Sequence, residues 1–479
     1  MVACVDGDLA GAVTARAALL VRNVEIEGRA GLDCLFRGGR VAAIGPNLSR
    51  EAAEVLDGNG GALLPGLADH HLHLLAMAAA AHSIDVSADS NLSALARHAD
   101  DTTWLRVIGW HENQGELDRD VLDRLVPNRP VRVQHRSGAL WVLNSAAINA
   151  ARAAGGDPPP GAERDEAGEL TGRLWREDRW LQSANQALPS LAEVGAELAS
   201  YGITAVTDAT PDLDARAVAH LATAVEDGSL PQRVQLLCAD VEPTLPARMS
   251  VGPRKVLIHD HELPDLDALT TEIAIAHESG RAVAVHCISR AALALALAAL
   301  REAGSMPGDR IEHCAIADES AIAVLDELGV TVVTQPSLVV RRGDDYLNRH
   351  EPSECADLWR YGSLLNAGVP TVASSDAPYG AADPWLTIRA ARDRCTMSGR
   401  VLGEAERVSV QTTLAGLRAD VSRPEKGPRP LAVGSPADVV LLSMPVADAL
   451  DGPTSELVAT TIVEGRVVFD RASSSSRFG

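Results

Sequence analysis

The sequence predicts an α/β fold: a (β/α)8 TIM-like barrel with a small β-sandwich domain formed from both chain ends. Three observations carry this. Short apolar runs of strand length alternate with amphipathic stretches of helical length through the middle of the chain. About eight such units occur, and no Gly-x-Gly-x-x-Gly loop opens the first, which favours a barrel over a doubly wound sheet. Both ends have a different texture, with Val, Ile and Leu alternating with polar residues between glycine turns.

The end segments come first. Residues 18–48 read as short strands, and a similar pattern returns at 434–443 and 457–469. Together they predict one small β domain from residues 1–62 and 425–479, with the last residues, ASSSSRFG, as a frayed tail. The barrel then occupies 63–424. Its strand candidates lie near 63, 203, 234, 255, 282, 310, 331 and 371, with helices expected over 266–280 and 290–304. A further run near 104 opens an interruption at about 104–180. That stretch holds five of the seven tryptophans (Trp104, Trp110, Trp141, Trp175, Trp180) and a Pro/Gly/acid-rich loop. It reads as an insertion over one end of the barrel, either a packing subdomain or a substrate lid.

Composition removes several function classes. The chain has 479 residues, 46% hydrophobic and 23% charged, ordinary for a globular protein. With 43 basic and 65 acidic residues its net charge is −22, which gives no electrostatic footprint for nucleic acid or anionic membrane. No apolar run approaches the ~20 residues of a membrane helix. The opening Met1–Asp8 segment bears acids where a signal peptide has bases, so a cytoplasmic location is expected. Seven scattered cysteines without a Cys-x-x-Cys pair argue against a disulfide framework or a thiolate zinc site.

The chemistry concentrates at strand ends. In Pro65-Gly66-Leu67-Ala68-Asp69-His70-His71-Leu72-His73, His71 and His73 are two apart and share one face of a strand. At the C-terminal end of a parallel barrel strand they would present two imidazoles to a divalent metal, zinc being the natural choice. His70 faces the other way and is expected to support them. His286, His313 and Asp376 each end a later apolar run and belong to the same rim. By the period of two, Cys287, Cys314 and Glu312 should turn away from the barrel axis. Lys255 is one of only two lysines beside 41 arginines. Where arginine is the default cation, a lysine suggests chemistry that needs a neutral amine, such as a carbamate formed with carbon dioxide that can bridge two metals; an ordinary ion pair is the other reading. His259 and His261 share its parity but lie past the apolar run, and suit substrate contact or simple exposure.

These residues together resemble the amidohydrolase superfamily, with Pro-Gly-x-x-Asp-x-His-x-His on the first barrel strand, Lys on the fourth, His on the fifth and sixth, and Asp on the eighth. The late Gly434-Ser435-Pro436-Ala437-Asp438 fits as well. The phrase beginning at Leu117, with Asn144-Ser145-Ala146, Tyr201-Gly202-Ile203-Thr204, Gln335-Pro336 and Ser375-Asp376-Ala377-Pro378, is similar to the branch that includes N-substituted formamide deformylases. The chain departs from that branch at Gly138-Ala139, often Gly-His, at His286-Cys287-Ile288-Ser289-Arg290, often His-Ala-Ile-Gly-Asp, and at His259-Asp260, commonly Asp-Gly. Deformylase activity as such is therefore not carried over.

The resemblance implies a metal-dependent hydrolase of a carbon–nitrogen bond, amide or N-acyl, in a small molecule. In its two-metal form His71 and His73 hold one ion, His286 and His313 the other, and carbamylated Lys255 bridges them. Asp376 binds metal and shuttles the proton. In the one-metal form His71, His73, His286 and Asp376 form the core and His313 orients water. A deaminase of the same superfamily and a non-catalytic small-molecule-binding barrel are the alternatives; no Glu closely follows His286 to protonate a ring nitrogen, and a decayed enzyme would be free to lose a ligand. Arg136, Arg290, Arg341 and Arg342 lie near strand ends and could clamp a carboxylate or simply be surface charges. The tryptophans suggest either an apolar group on the substrate or packing. A homodimer is expected only from family habit.

Overall fold

The structure is a computed structural model that describes residues 18–50, 53–87, 92–98, 104–177, 180–181, 188–237, 244–349 and 351–475. The opening segment, Cys4, Cys238 and the last four residues of the tail lie outside the described residues.

The centre of the molecule is built from eight strands whose neighbours run parallel: β1 (Leu67–Leu72), β2 (Ile203–Asp208), β3 (Arg233–Leu236), β4 (Arg254–Leu257), β5 (Val283–Cys287), β6 (Arg310–His313), β7 (Thr331–Thr334) and β8 (Thr371–Ala373). β1, β2 and β3 are neighbours in one sheet, with Met249–Val251 beyond β3, and β4 to β8 follow in order in a second. Backbone bonds join the two sheets. Lys255 N donates to Leu237 O at 2.7 Å, while Asp376 N donates to His71 O and His73 N to Ala377 O, both at 2.9 Å.

Helices α1 (Ala215–Asp227), α2 (Leu266–Glu278), α3 (Arg290–Ala303) and α4 (Glu319–Leu328) separate successive strands. Each starts at a side-chain cap: Asp214, Asp265, Ser289 and Asp318 accept from the backbone N–H of Ala217, Asp267, Ala292 and Ala321. Alternation along the strands divides the interior. Val256, Ile258, Val283, Val285, Cys287 and Ile311 pack with Leu293, Leu297 and Leu300 of α3, and each such buried aliphatic side chain contributes roughly 1.5–3 kcal/mol. The alternate positions Lys255, His286, Arg310 and Glu312 face inward, so the interior below the rim is polar. Two further helices matter below: α5 (Leu338–Arg349) and α6 (Val410–Leu417).

Two four-stranded sheets flank this unit. One orders Arg40–Gly45, Arg29–Arg37, Ala18–Ile26 and Ala53–Asp57; the other orders Arg466–Asp470, Val458–Val463, Val439–Leu442 and Leu63–Pro65. They share one apolar cluster that includes Leu19, Val21, Phe36, Leu63, Val439 and Ile462. Arg423–Pro428 pairs with Ala419–Asp420, apart from both sheets.

The segment between β1 and β2 forms a six-stranded sheet. It begins at Ile84–Asp85, upstream of the tryptophan-rich stretch, and closes with Leu170–Trp175. Ile84–Asp85, Leu105–Trp110 and Val131–His135 run parallel, and Leu140–Leu143, Leu170–Trp175 and Ala162–Arg164 continue antiparallel. Among the described residues no helix is long and apolar enough to cross a membrane.

Candidate metal centre

His71 and His73 sit where β1 ends. The strand is buried along its length, and His73 already occupies the extended position before the helix Leu74–Ala81. Asp376 arrives from beyond β8, held by its N–H to His71 O. Its backbone takes φ +56°, a left-handed geometry that Asp tolerates better than most residues, and the Ala377–Pro378 peptide that follows is cis. Asp376 Oδ1 lies 3.6 Å from His71 Nε2 and 3.4 Å from His73 Nε2. One ligand atom from each of the three residues falls within 4.8 Å of the others. Two more imidazoles complete the group: the His313 ring centroid is 4.7 Å from that of His71 and 4.5 Å from that of His286. Lys255, on β4, is buried and places Nζ 3.4 Å from His71 Nε2.

Each ring is oriented from behind. Glu312 and His71 Nδ1 form a buried, very close pair; an ionised carboxylate only accepts, so His71 carries its proton on Nδ1 and turns the Nε2 lone pair inward. His73 Nδ1 bonds Thr210 Oγ1 at 3.1 Å. His313 Nδ1 donates to Gln335 Oε1 at 2.9 Å, and the Gln335 amide nitrogen donates to Ser374 Oγ at 2.9 Å. Asp69 accepts from the backbone N–H of both His71 and Ser375, tying β1 to the segment that bears Asp376.

The electrostatics suit metal binding. Burial pulls His71 down to about 3, assisted by the charge of Lys255, and burial also lowers His313 and takes His286 well below the ordinary imidazole range. All three are thus neutral near pH 7, the form that ligates. Burial opposes ionisation of Asp376, but the His73 hydrogen bond and the His313 and His71 rings outweigh it and hold the carboxyl well below its usual value. Burial pulls Lys255 down to about 8, against the carboxylates of Glu312 and Asp376.

The sequence reading of Glu312 needs correction. Strand parity turned it away from the axis, whereas it is fully buried and faces the interior beside His71. Parity assumes extended backbone through His313, but His313 has φ +69° and Cys314 φ +50°. The chain leaves the strand geometry there, so Glu312 and His313 both reach the site. Cys287 and Cys314 lie in the apolar cluster shared with the helices. His70 points outward and bonds Gly416 O of α6 at 3.2 Å. Thr210, Gln335, Asp69 and Arg310 also support the site. Thr210 and Gln335 bond imidazoles of other strands, so only their side-chain type could have signalled them, whereas Asp69 stands in the sequence motif two residues before His71.

The rim groups distribute unevenly. His259 and His261 stack with ring centroids 5.8 Å apart, beyond the end of β4 and outside the group of converging ligand atoms. Arg290 is paired with Asp318 and Asp357, and Arg341 donates to Tyr379 O at 3.3 Å. Arg136 comes from the six-stranded sheet and donates to Asp345 Oδ2 of α5 at 2.6 Å. Two residues on, Gly138 lies against Tyr379, so closely that a Cβ there would fall 2.4 Å from a ring carbon. The Tyr379 ring in turn is 5.6 Å from that of His73. The insertion therefore reaches the end of β1 where the imidazoles converge. Trp110, Trp141 and Trp180 are buried in the subdomain's own clusters, Arg132 lies over Trp104 and Trp141, and Trp175 is exposed.

Comparison with known proteins agrees with this architecture. N-substituted formamide deformylase of Arthrobacter pascens is 25% identical, covering 95% of this chain and 98% of its own. Putative amidohydrolase YtcJ of Bacillus subtilis (strain 168) is 25% identical, covering 86% of this chain and 90% of its own. An uncharacterised metal-dependent hydrolase from Pyrococcus horikoshii OT3 superposes with a TM-score of 0.71 at 19% identity, over 91% of this chain and 100% of that one. That likeness and the alternating strands and helices fit a TIM-barrel-type fold. The model of the Amidohydrolase family matches residues 54–469, nearly the whole chain. The chain belongs to the amidohydrolase family.

Proposed function

We propose that this protein is a metal-dependent hydrolase that cleaves a carbon–nitrogen bond, of amide or N-acyl type, in a small molecule. The observation that carries the reading is the convergence of His71 Nε2, His73 Nε2 and Asp376 Oδ1, with His71 held from Glu312 so that its lone pair points at the same space. The donor set of imidazoles and a carboxylate suits zinc. His71, His73 and Asp376 would hold one ion, His286 and His313 a second, and Lys255, as its carbamate, would bridge them. A bound divalent ion supplies hydroxide at neutral pH and a positive charge for the scissile carbonyl oxygen. Asp376 accepts the proton of the attacking water on a carboxylate oxygen and returns it to the leaving nitrogen. A carbon–oxygen bond forms, the carbon–nitrogen bond breaks, and nothing is oxidised or reduced. In the one-metal form His313, fixed by Gln335, orients the water.

The same reading takes the eight strands as one closed barrel and the two terminal sheets as a sandwich beside it. The backbone bonds between the sheets of β1–β3 and β4–β8, and the apolar cluster common to the end segments, support it. The Arg136–Asp345 and Gly138–Tyr379 contacts support the insertion as a cover over the substrate's entrance. Similarity to a formamide deformylase supports amides as the first substrates to screen.

Metal content per chain, measured by elemental mass spectrometry on protein prepared without chelator, tests the reading. About two divalent ions support the bridged site and about one the mononuclear form. No metal, with none taken up from zinc or manganese plus bicarbonate, removes the hydrolase reading.

A further inference from the structure

Beside the converging imidazoles stands a pair of buried charged groups, Arg310 and Glu312, of which the mechanism above uses only the bond between His71 and Glu312. Arg310 and Glu312 are on β6, which neighbours β5 and β7 and not β1. Both side chains are buried, at 2% and 0% exposure. Arg310 Nε donates to Glu312 Oε1 in a very close contact, and Nη2 donates to Oε2 at 3.2 Å. The same Nη2 crosses the interior and donates to the backbone carbonyl of His70 at 2.6 Å. Glu312 crosses beside it and accepts from Nδ1 of His71. Two consecutive residues of the ligand strand are thus gripped from one point, one by its main chain and the next by its imidazole.

We propose that Arg310 and Glu312 are positioning residues, a clamp that fixes both the height of β1 and the ring orientation and tautomer of His71, and so sets the affinity of the metal centre. The inference rests on the metal reading above. The physical case has three parts. An isolated buried carboxylate is costly, but one that accepts from a guanidinium fork and from an imidazole N–H has its oxygens satisfied. The fork is specific to arginine, since lysine offers a point charge. A carboxylate behind a ligating imidazole fixes its orientation and increases its basicity, and loss of such a partner typically weakens metal binding 10–100-fold. Because Arg310 neutralises Glu312, the clamp supplies this without placing a further uncompensated negative charge at the centre.

Zinc is the probe, and its affinity is measured by chelator competition for the whole protein, Glu312→Gln and Arg310→Lys, with circular dichroism as the check of folding. The second readout is the imidazole N–H resonance of His71 in proton NMR, which the bond to Glu312 should shift far downfield with or without metal. The expected result is a downfield resonance in the parent protein that is lost in Glu312→Gln and displaced in Arg310→Lys, with zinc affinity reduced about 10–100-fold in Glu312→Gln and less in Arg310→Lys. Unchanged affinity in folded Glu312→Gln, or a downfield resonance that persists in it, overturns the proposal. A parent protein that shows the resonance but takes up no zinc overturns the metal reading instead, leaving the Glu312–His71 bond established.

Discussion

Lys255 Nζ lies 3.4 Å from His71 Nε2, and because His71 carries its proton on Nδ1, the lysine donates to the lone pair a metal would take. An ammonium at Lys255 and a cation on His71 therefore compete. The amine must lose its proton before the centre can fill, and its pKa, lowered to about 8 by burial, brings that within reach. Zinc uptake by chelator-stripped protein should accelerate with bicarbonate. Lys255→Arg, which keeps the charge and cannot form a carbamate, should reduce a two-ion centre to one ion or none by elemental analysis. Bicarbonate-independent uptake and full metal content in that variant would return Lys255 to an ion-pairing role.

Asp376 is assigned both ligation and proton transfer, and Asp376→Asn separates the two. The amide keeps an oxygen that can face His71 and His73 but cannot shuttle a proton. Turnover of an amide substrate should fall about 10²–10⁴-fold, while zinc content stays near that of the parent. Undiminished turnover in a metal-replete variant would sink the proton-shuttle role.

Gly138 leaves no room for a side chain against Tyr379 and has φ +77°, a conformation that favours glycine. Gly138→Ala should displace the turn that bears Arg136 from Tyr379. The expected outcome is a raised KM with the thermal midpoint and metal content little changed, because the contact lies outside the apolar clusters between strands and helices. Tyr379→Ala in the same chain should restore much of the KM. An unaltered KM would mean the substrate does not pass this turn.

Burial in the cluster shared by the terminal sheets pushes the Cys34 thiol up to about 12, against 9.0 when free in the unfolded chain. The folded state then holds the proton more tightly than the unfolded state. This contribution to stability is intact below pH 9 and is lost as pH rises from 9 towards 12, at up to about 1.4 kcal/mol per pH unit. Urea unfolding across that range should show a steeper alkaline decline for the parent than for Cys34→Ala. Parallel declines would show that the thiol is not the titrating group.

What the sequence disclosed follows the range over which each signal acts. Alternation within a strand is local, so the inward set Lys255 and His286 and the outward set Val285 and Cys287 could be read residue by residue. The capped helices after Asp265 and Ser289 could be read in the same way. The error at Glu312 arose where local geometry fails: a left-handed His313 is a main-chain event that tertiary bonds impose, and His is a residue type that permits it without demanding it. Thr210, Gln335 and Arg310 were silent for another reason. Thr210 and Gln335 each act on an imidazole, and Arg310 on the His70 carbonyl, of a different strand, and pairing between distant strands leaves no spacing pattern in one chain. The start of the inserted sheet at Ile84–Asp85 was hidden by shortness, since a two-residue strand has no periodicity to detect.

The strand Leu63–Pro65 lies at the edge of its sheet, against a partner that comes late in the chain. It pairs with Val439–Leu442, and Gly66 N, one residue before β1, donates to Asp438 O at 2.9 Å. β1, which presents His71 and His73, can pair with Ile203–Asp208 well before Val439 is made, but the pairing that seats Leu63–Pro65 must wait for it. Its loop-closure cost falls at the end, in a step that long sequence separation makes slow. Closure of Val439–Leu442 on Leu63–Pro65 after β1 has met Ile203–Asp208 is the order this topology favours.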